Sequence, residues 1–213
     1  MVSIQTTNKL KRQLENWNQI NWNQVNKLVR NLRQRIFRAR KQGDFRKLSI
    51  WQKLMQRSYA NLLLSVRRIT HTNLGKATAG IDKEIVNTPE QRVILVNNPN
   101  RGNLRPTRRV EIPKPNGKKR PLSIPSVTHD RIEQAIVKNS LEPEWSAVFE
   151  EHSYGFRPGR SCQDAIEQCF NKVGFNRAGG HRWVLEADIK GFFDNIAHES
   201  ILNSRNEHSS KDG

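Results

Sequence analysis

Three groups of residues have types and spacings suited to chemistry on phosphates. The first centres on Asp188, near the end of Trp183-Val184-Leu185-Glu186-Ala187-Asp188-Ile189. Trp183, Leu185, Ala187 and Ile189 alternate with Val184, Glu186 and Asp188, the period of a half-buried strand. Gly191 then breaks the strand, and Phe192 and Phe193 follow. A carboxylate there, beside a glycine, suits a hard cation. The same letters also fit an Asp that merely ends a strand at a turn. The second group is Arg108, Arg109, Lys114, Lys118, Lys119 and Arg120, and the third is Lys27, Arg30, Arg33, Arg35, Arg38 and Arg40. Cations at this density neutralise phosphate oxygens, although each group also fits a solvated basic surface.

The elements that must position these groups follow from periodicity and turn chemistry. Residues 1 to 22 are polar, with Trp17 and Trp22 five apart, and read alone as a leader without fixed structure. Val25, Leu28, Val29, Leu32, Ile36 and Ala39 form one helical stripe, and the third basic group occupies the other faces. Gly43 ends that helix and Asp44 caps the next. Leu48, Trp51, Leu54, Met55, Ser58, Leu62, Val66 and Ile69 predict a second helix running to about residue 69. Gly75, Lys76 and Gly80 punctuate a loop that reads as a phosphate cradle or as a plain loop; the Gly-Lys-Ser/Thr ending of a P-loop is missing. Thr88-Pro89-Glu90-Gln91 starts a short buried helix.

Residues 107 to 124 predict a β-hairpin, with Val110 and Ile112 on one strand, Leu122 and Ile124 on the return, and Asn116-Gly117 as the turn. A helix is expected from about Val127 to Ser140, with another opened by Pro143. Ser161-Cys162-Gln163-Asp164 resembles a capping box for a helix to about Val173, and residues 174 to 181 form a loop.

Composition narrows the partners. The 213 residues carry 37 Lys and Arg against 20 Asp and Glu, a formal net charge of +17. Residues 1 to 70 hold 16 of those bases and only Glu15 and Asp44, a balance of +14. Ordinary exposed helices mix signs for i,i+4 pairing, so this region is expected to contact nucleic acid. A membrane partner is not expected: the basic helices lack a strong apolar face, and neither a spanning run nor a signal peptide is present. Cys162 and Cys169, seven apart, suit neither a local disulfide nor a zinc site. A cytoplasmic protein is expected, or one of the organellar stroma or matrix if organelle-encoded.

Four stretches, in order, resemble one family. Asp188-Ile189-Lys190-Gly191-Phe192-Phe193-Asp194-Asn195-Ile196 resembles the first catalytic motif of the reverse transcriptases encoded by bacterial and organellar group II introns. Ile112-Pro113-Lys114-Pro115-Asn116-Gly117-Lys118-Lys119-Arg120-Pro121-Leu122-Ser123-Ile124-Pro125 is similar to their fingers hairpin, with Ser123 where the family usually has Gly. Tyr154-Gly155-Phe156-Arg157-Pro158-Gly159-Arg160-Ser161 is nearly their second fingers motif, and Gly75 to Asp82 resembles the segment joining their N-terminal helices to the fingers. The resemblance spans roughly residues 17 to 202. It implies that Asp188 is the first catalytic carboxylate and a Mg2+ ligand, and that Phe193 excludes a ribose 2′-hydroxyl. Lys114 and Arg120 would grip the triphosphate of an incoming deoxynucleotide. Arg30, Arg33, Arg35, Arg38, Lys76, Arg157 and Arg160 would contact intron or template RNA.

The implied fold is α+β, an incomplete right-hand polymerase. A basic helical, RNA-binding region (1–86) would precede fingers and the first part of the palm (87–202), and residues 203 to 213 would be a disordered tail left by truncation. The family's later Tyr-Ala-Asp-Asp hairpin is missing, and neither Glu186 nor Asp194 matches a family metal ligand. The chain alone is therefore expected not to hold two Mg2+ ions and not to polymerise unless a C-terminal half is supplied in trans. A non-catalytic, maturase-like RNA-binding fragment and a decayed relic are the alternatives.

Overall fold

The computed structural model describes residues 13–99, 106–115, 117–173, 185–189, 191–200 and 203, without the side chains of 128, 193 and 194. The chain divides into two compact units, 1–147 and 148–213. In the first, helices α1 (Trp22–Lys41), α2 (Phe45–Arg57), α3 (Tyr59–Arg67) and α5 (Ile132–Ser146) pack together, and α4 (Pro89–Asn97) lies against α3. The stripe of α1 behaves as its spacing predicts: Val25, Val29, Ile36 and Ala39 are buried with Leu48, Met55, Leu62, Leu63, Val66 and Ile136. Leu28, at the margin of the stripe, is exposed. The expected caps form. Asp44 accepts from the Lys47 N–H at 2.9 Å, and Thr88 and Gln91 make both halves of a capping box.

The polar leader is not loose where it is described. Trp17 is buried in a 3₁₀ turn (Trp17–Gln19), 5.1 Å from Trp22. Arg67 stacks on the Trp22 ring at 4.3 Å and Arg92 lies 5.9 Å from the Trp17 ring, so the two indoles are flanked by two guanidiniums. Asn97 ties Leu14 down by donating to its carbonyl at 2.8 Å and accepting from its N–H at 2.9 Å. An indole at each end of a five-residue spacing supplies enough apolar area to order a polar segment.

The predicted continuous second helix is broken at Ser58, which is extended (φ −69°, ψ 124°). Its N–H closes α2 on the Met55 carbonyl, while its hydroxyl accepts from the Asn61 N–H to start α3. Asn61, fully buried, donates to the carbonyls of Met55 and Ile136 at 3.0 and 3.2 Å and accepts from Asn139 at 2.7 Å. The break is thus stabilised by a polar network reaching α5. A π turn (Arg68–Thr72) and a 3₁₀ turn (Leu74–Ala77) follow α3.

Pro143 does not open a new helix but lies buried inside α5. Contacts from α1 and α2 hold the helix through it: Arg33 pairs with Glu142 at 2.7 Å, and Gln52 donates to Glu144 at 2.5 Å. The preceding segment is a π turn (Val127–Arg131). It docks on the loop at Gly80, where a Cβ would come within 2.6 Å of the Pro125 carbonyl oxygen, so no other residue fits without a shift.

Strands β1 (Arg108–Pro113) and β2 (Lys119–Ile124) pair antiparallel with Ile112 opposite Arg120. The turn is one residue longer than the expected two-residue Asn-Gly loop. A two-residue loop would make Pro115 a closing pair with Lys118, and proline has no N–H to give. Instead the Lys114 N–H donates to the Lys118 carbonyl at 2.7 Å, and the Gly117 N–H to the Lys114 carbonyl at 3.0 Å. Gly117 takes φ +75°, the left-handed residue that such three-residue loops need.

In the second unit, Ser161 and Asp164 form the expected reciprocal cap of α6 (Cys162–Val173), with Ser161 N–H to Asp164 at 2.7 Å and Asp164 N–H to Ser161 at 3.2 Å. The strand expected at 183–189 is not formed in its described part: residues 185–189 carry no strand pairing and are exposed. An alternating pattern becomes a strand only beside a partner, and the sheet seen among the described residues is the β1–β2 pair. Gly191 leads into one turn, α7 (Phe192–Asn195). The loop expected at 174–181, and the tail apart from Asn203, lie outside the described residues. Helices plus a small antiparallel sheet make the class α+β, as expected.

Candidate nucleic-acid interface

The basic face of α1 is built by helical spacing. Arg30, Arg33, Gln34, Phe37 and Arg38 fall at i, i+3, i+4, i+7 and i+8, which a 3.6-residue period brings to one side. With Pro143 and Ser146 from the last turn of α5 they line an open concavity of about 350 Å³. Glu142 fixes Arg33 and also takes Lys138 at 3.4 Å. Arg30 and Arg38 are exposed and meet no carboxylate among the described ion pairs. Arg35 points elsewhere and stacks on Trp51 at 4.7 Å. The four arginines singled out in the sequence therefore separate into three that converge and one that does not.

Phe37 was missed. It is 37% exposed, and a lone aromatic on a basic helical face was the available signal.

The hairpin sorts its charges by strand parity. Ile112, Lys114, Lys118 and Arg120 share one face, and Glu111 and Lys119 share the other. Lys119 pairs with Glu111 at 3.0 Å. Lys114 and Arg120, both exposed, are diagonal neighbours on the face that Glu111 does not reach.

Lys76 is exposed on the 3₁₀ turn after α3. Nearby, desolvation and then the charges of Arg92, Lys76 and Arg67 hold the His71 imidazole below its ordinary value, so it stays neutral at pH 7. Arg92 is buried, and its acceptors among the described residues are neutral: the Thr70 hydroxyl and carbonyl at 3.1 and 3.2 Å and the Asn87 carbonyl at 3.0 Å. Burial draws its guanidinium below its ordinary value, with Glu90 opposing.

In the second unit, Arg157 donates to the carbonyls of Glu150 and Ser153 at 2.9 and 3.0 Å and stacks on Phe149 at 5.3 Å. Arg160 donates to the Glu151 carbonyl and stacks on Tyr154 at 5.0 Å. Both arginines shape the 150–161 loop, whatever else they touch. Asp188 is exposed, and Phe193 lies in α7 with its side chain outside the described residues. Among the described residues no group of three or more His, Cys, Asp or Glu is gathered to hold a metal ion, and no helix is long and apolar enough to cross a membrane.

Residues 17–98 match the N-terminal domain of reverse transcriptase, and residues 112–212 match reverse transcriptase (RNA-dependent DNA polymerase). The chain is 46% identical over 98 residues to the group II intron-encoded protein LtrA of Lactococcus lactis subsp. cremoris, a match covering 46% of this chain and 15% of that protein. It is 42% identical over 97 residues to protein YkfC of Escherichia coli K12, covering 46% and 25%. It is 37% identical over 109 residues to the putative COX1/OXI3 intron 1 protein of Saccharomyces cerevisiae, covering 51% and 12%. The matched stretch is a small part of the length of these curated relatives. Two adjoining reverse-transcriptase regions and intron-encoded relatives agree: the chain belongs to the group II intron reverse transcriptases and corresponds to their N-terminal part.

Proposed function

We propose that this chain is the RNA-holding portion of an RNA-directed DNA polymerase that serves intron splicing and mobility. Residues 1–86 grip intron RNA, and 87–202 supply the fingers and the start of the palm of a right-hand fold. The observation that carries this reading is the α1 face, where Arg30 and Arg38 stand exposed beside an anchored Arg33. Lys114 and Arg120, on one face of the hairpin, are suited to a deoxynucleotide triphosphate: a point charge and a planar fork neutralise a leaving pyrophosphate. Lys76, Arg157 and Arg160 serve the template strand, and Phe193 the sugar gate.

Magnesium in this reading is the polymerase's metal, with Asp188 as one ligand. Two-ion phosphoryl transfer needs several carboxylates about the pair, and the described residues do not gather such a set. Asp188 serves as one ligand of that site, and the further carboxylates come from elsewhere, for example from a C-terminal half acting in trans.

The test is a filter-binding titration with RNA. Neutralising six or more phosphates predicts a loss of about a thousandfold in affinity between roughly 50 and 200 mM salt. Replacing Arg30, Arg33 and Arg38 by Gln should flatten the slope more than Arg35→Gln. Binding without a salt slope would refute the reading.

A further inference from the structure

We propose that the concavity between α1 and the end of α5 is a socket for one unpaired nucleotide of a bound RNA; this rests on the RNA-holding function above. Its contents are unlike those of a plain phosphate-tracking surface. Arg30, Arg33 and Arg38 rim it, but Phe37 and the buried Pro143 give it apolar wall. Duplex RNA is gripped through phosphates and 2′-hydroxyls and offers no base face to an aromatic ring, whereas bulged and looped bases are splayed out and stacked on Phe or on guanidinium planes. At about 350 Å³ the space sits at the low end of small-ligand pockets, room for a single nucleotide and not for a helix.

The parts divide the work. Arg33 is held by Glu142 at 2.7 Å, which pre-orients its guanidinium plane and offsets part of its charge. Arg30 and Arg38, one on each side of it along the helix and two turns apart, keep their charge for the phosphates flanking the splayed base. Phe37, next to Arg38 and one turn beyond Arg33, offers its exposed ring for stacking. The last turn of α5 contributes Ser146, whose hydroxyl can accept from the N–H groups of a base edge. An anion alone would not need the ring, and an apolar ligand would not need three guanidiniums.

The experiment compares two RNA hairpins, identical except for one unpaired nucleotide, binding to the 213-residue chain. The bulged hairpin should bind on the order of tenfold tighter, the low range of base–aromatic stacking. Phe37→Leu, which keeps apolar bulk and removes the π face, should erase the difference between the hairpins, and Phe37→Trp should keep it. Adenosine monophosphate at millimolar concentration should compete with the bulged hairpin more than with the paired one. Equal affinity for the two hairpins, or a preference that survives Phe37→Leu, would overturn the socket while leaving salt-dependent RNA binding standing. Saturable binding of the mononucleotide that bound RNA does not displace would also overturn it, as a free-nucleotide site. Failure of both hairpins to bind with a salt slope would instead strike the RNA-holding reading itself.

Discussion

Helices α1 and α6 carry the same kind of amphipathic pattern and meet opposite fates. In α1 the stripe Val25, Val29, Ile36 and Ala39 is buried by α2, α3 and α5. In α6 the corresponding stripe is bare: Ile166, Phe170 and Val173 are exposed, and no residue of the helix is buried. Both helices are begun by side-chain caps, at Asn21 and Ser161. Local signals therefore set where a helix starts, while burial depends on what else the chain brings to it. A period announces that a face wants cover and is silent about the cover.

The largest effect that separates the two should come from truncating apolar residues. Met55→Ala, in the buried set that α1 packs on, should cost about 2 to 5 kcal/mol. Ile166→Ala in α6 should change stability by less than about 0.5 kcal/mol, as exposed positions do. Urea unfolding measures both, and equal losses would show that the α6 face is covered in solution.

A middle-sized effect concerns the polar network, which the second unit lacks among its described residues. Asn61→Ala removes three buried bonds, to the Met55 and Ile136 carbonyls and from the Asn139 amide, which keeps only the Ser65 hydroxyl at 3.5 Å among the described bonds, at a cost of about 1 to 3 kcal/mol. Adding Asn139→Leu should recover part of that loss, because a buried amide left with one long bond is removed. A double variant no better than the sum of its parts would mean that the network adds nothing beyond volume.

The smallest effect sits at the α6 cap. The Ser161 backbone and hydroxyl bonds hold the Asp164 carboxyl below its ordinary value. A lowered value means that the cap's contribution is complete above the ordinary carboxylate range and fades as pH falls through the folded-state value. The Ser161 amide resonance should follow that titration, with fraying of α6 in acid. A Ser161 amide unmoved by acid would dissociate the cap from the charge of Asp164.

The features legible in the sequence are those with local causes. The caps at Asp44, Thr88 and Ser161 lie within four residues of their partners, and the α1 stripe is a plain period. The break at Ser58 was hidden because the apolar phase runs on through Leu62 and Val66; what decides it is Asn61 bonding a carbonyl of α5, seventy-five residues away. Pro143 misled for the same reason, since its helix is held by Arg33 and Gln52 from elsewhere. The turn was misread because Asn116-Gly117 outshone Pro115, whose missing N–H lengthens the loop. At the interface, the charges of α1 were legible and their convergence was not. Which arginines meet depends on α5, and Phe37 counted neither as core nor as charge.

Arg92 carries a consequence for how the protein and its RNA come apart. Its positive charge is buried against carbonyls, a hydroxyl and an indole, none of which is an ion. Added salt screens charge against charge and leaves such contacts alone. It also relieves the mutual repulsion of a chain with net charge +17. The ionic strength that strips RNA from α1 should therefore leave the Arg92 anchorage in place, so that cargo can be washed away while this part of the carrier stays held.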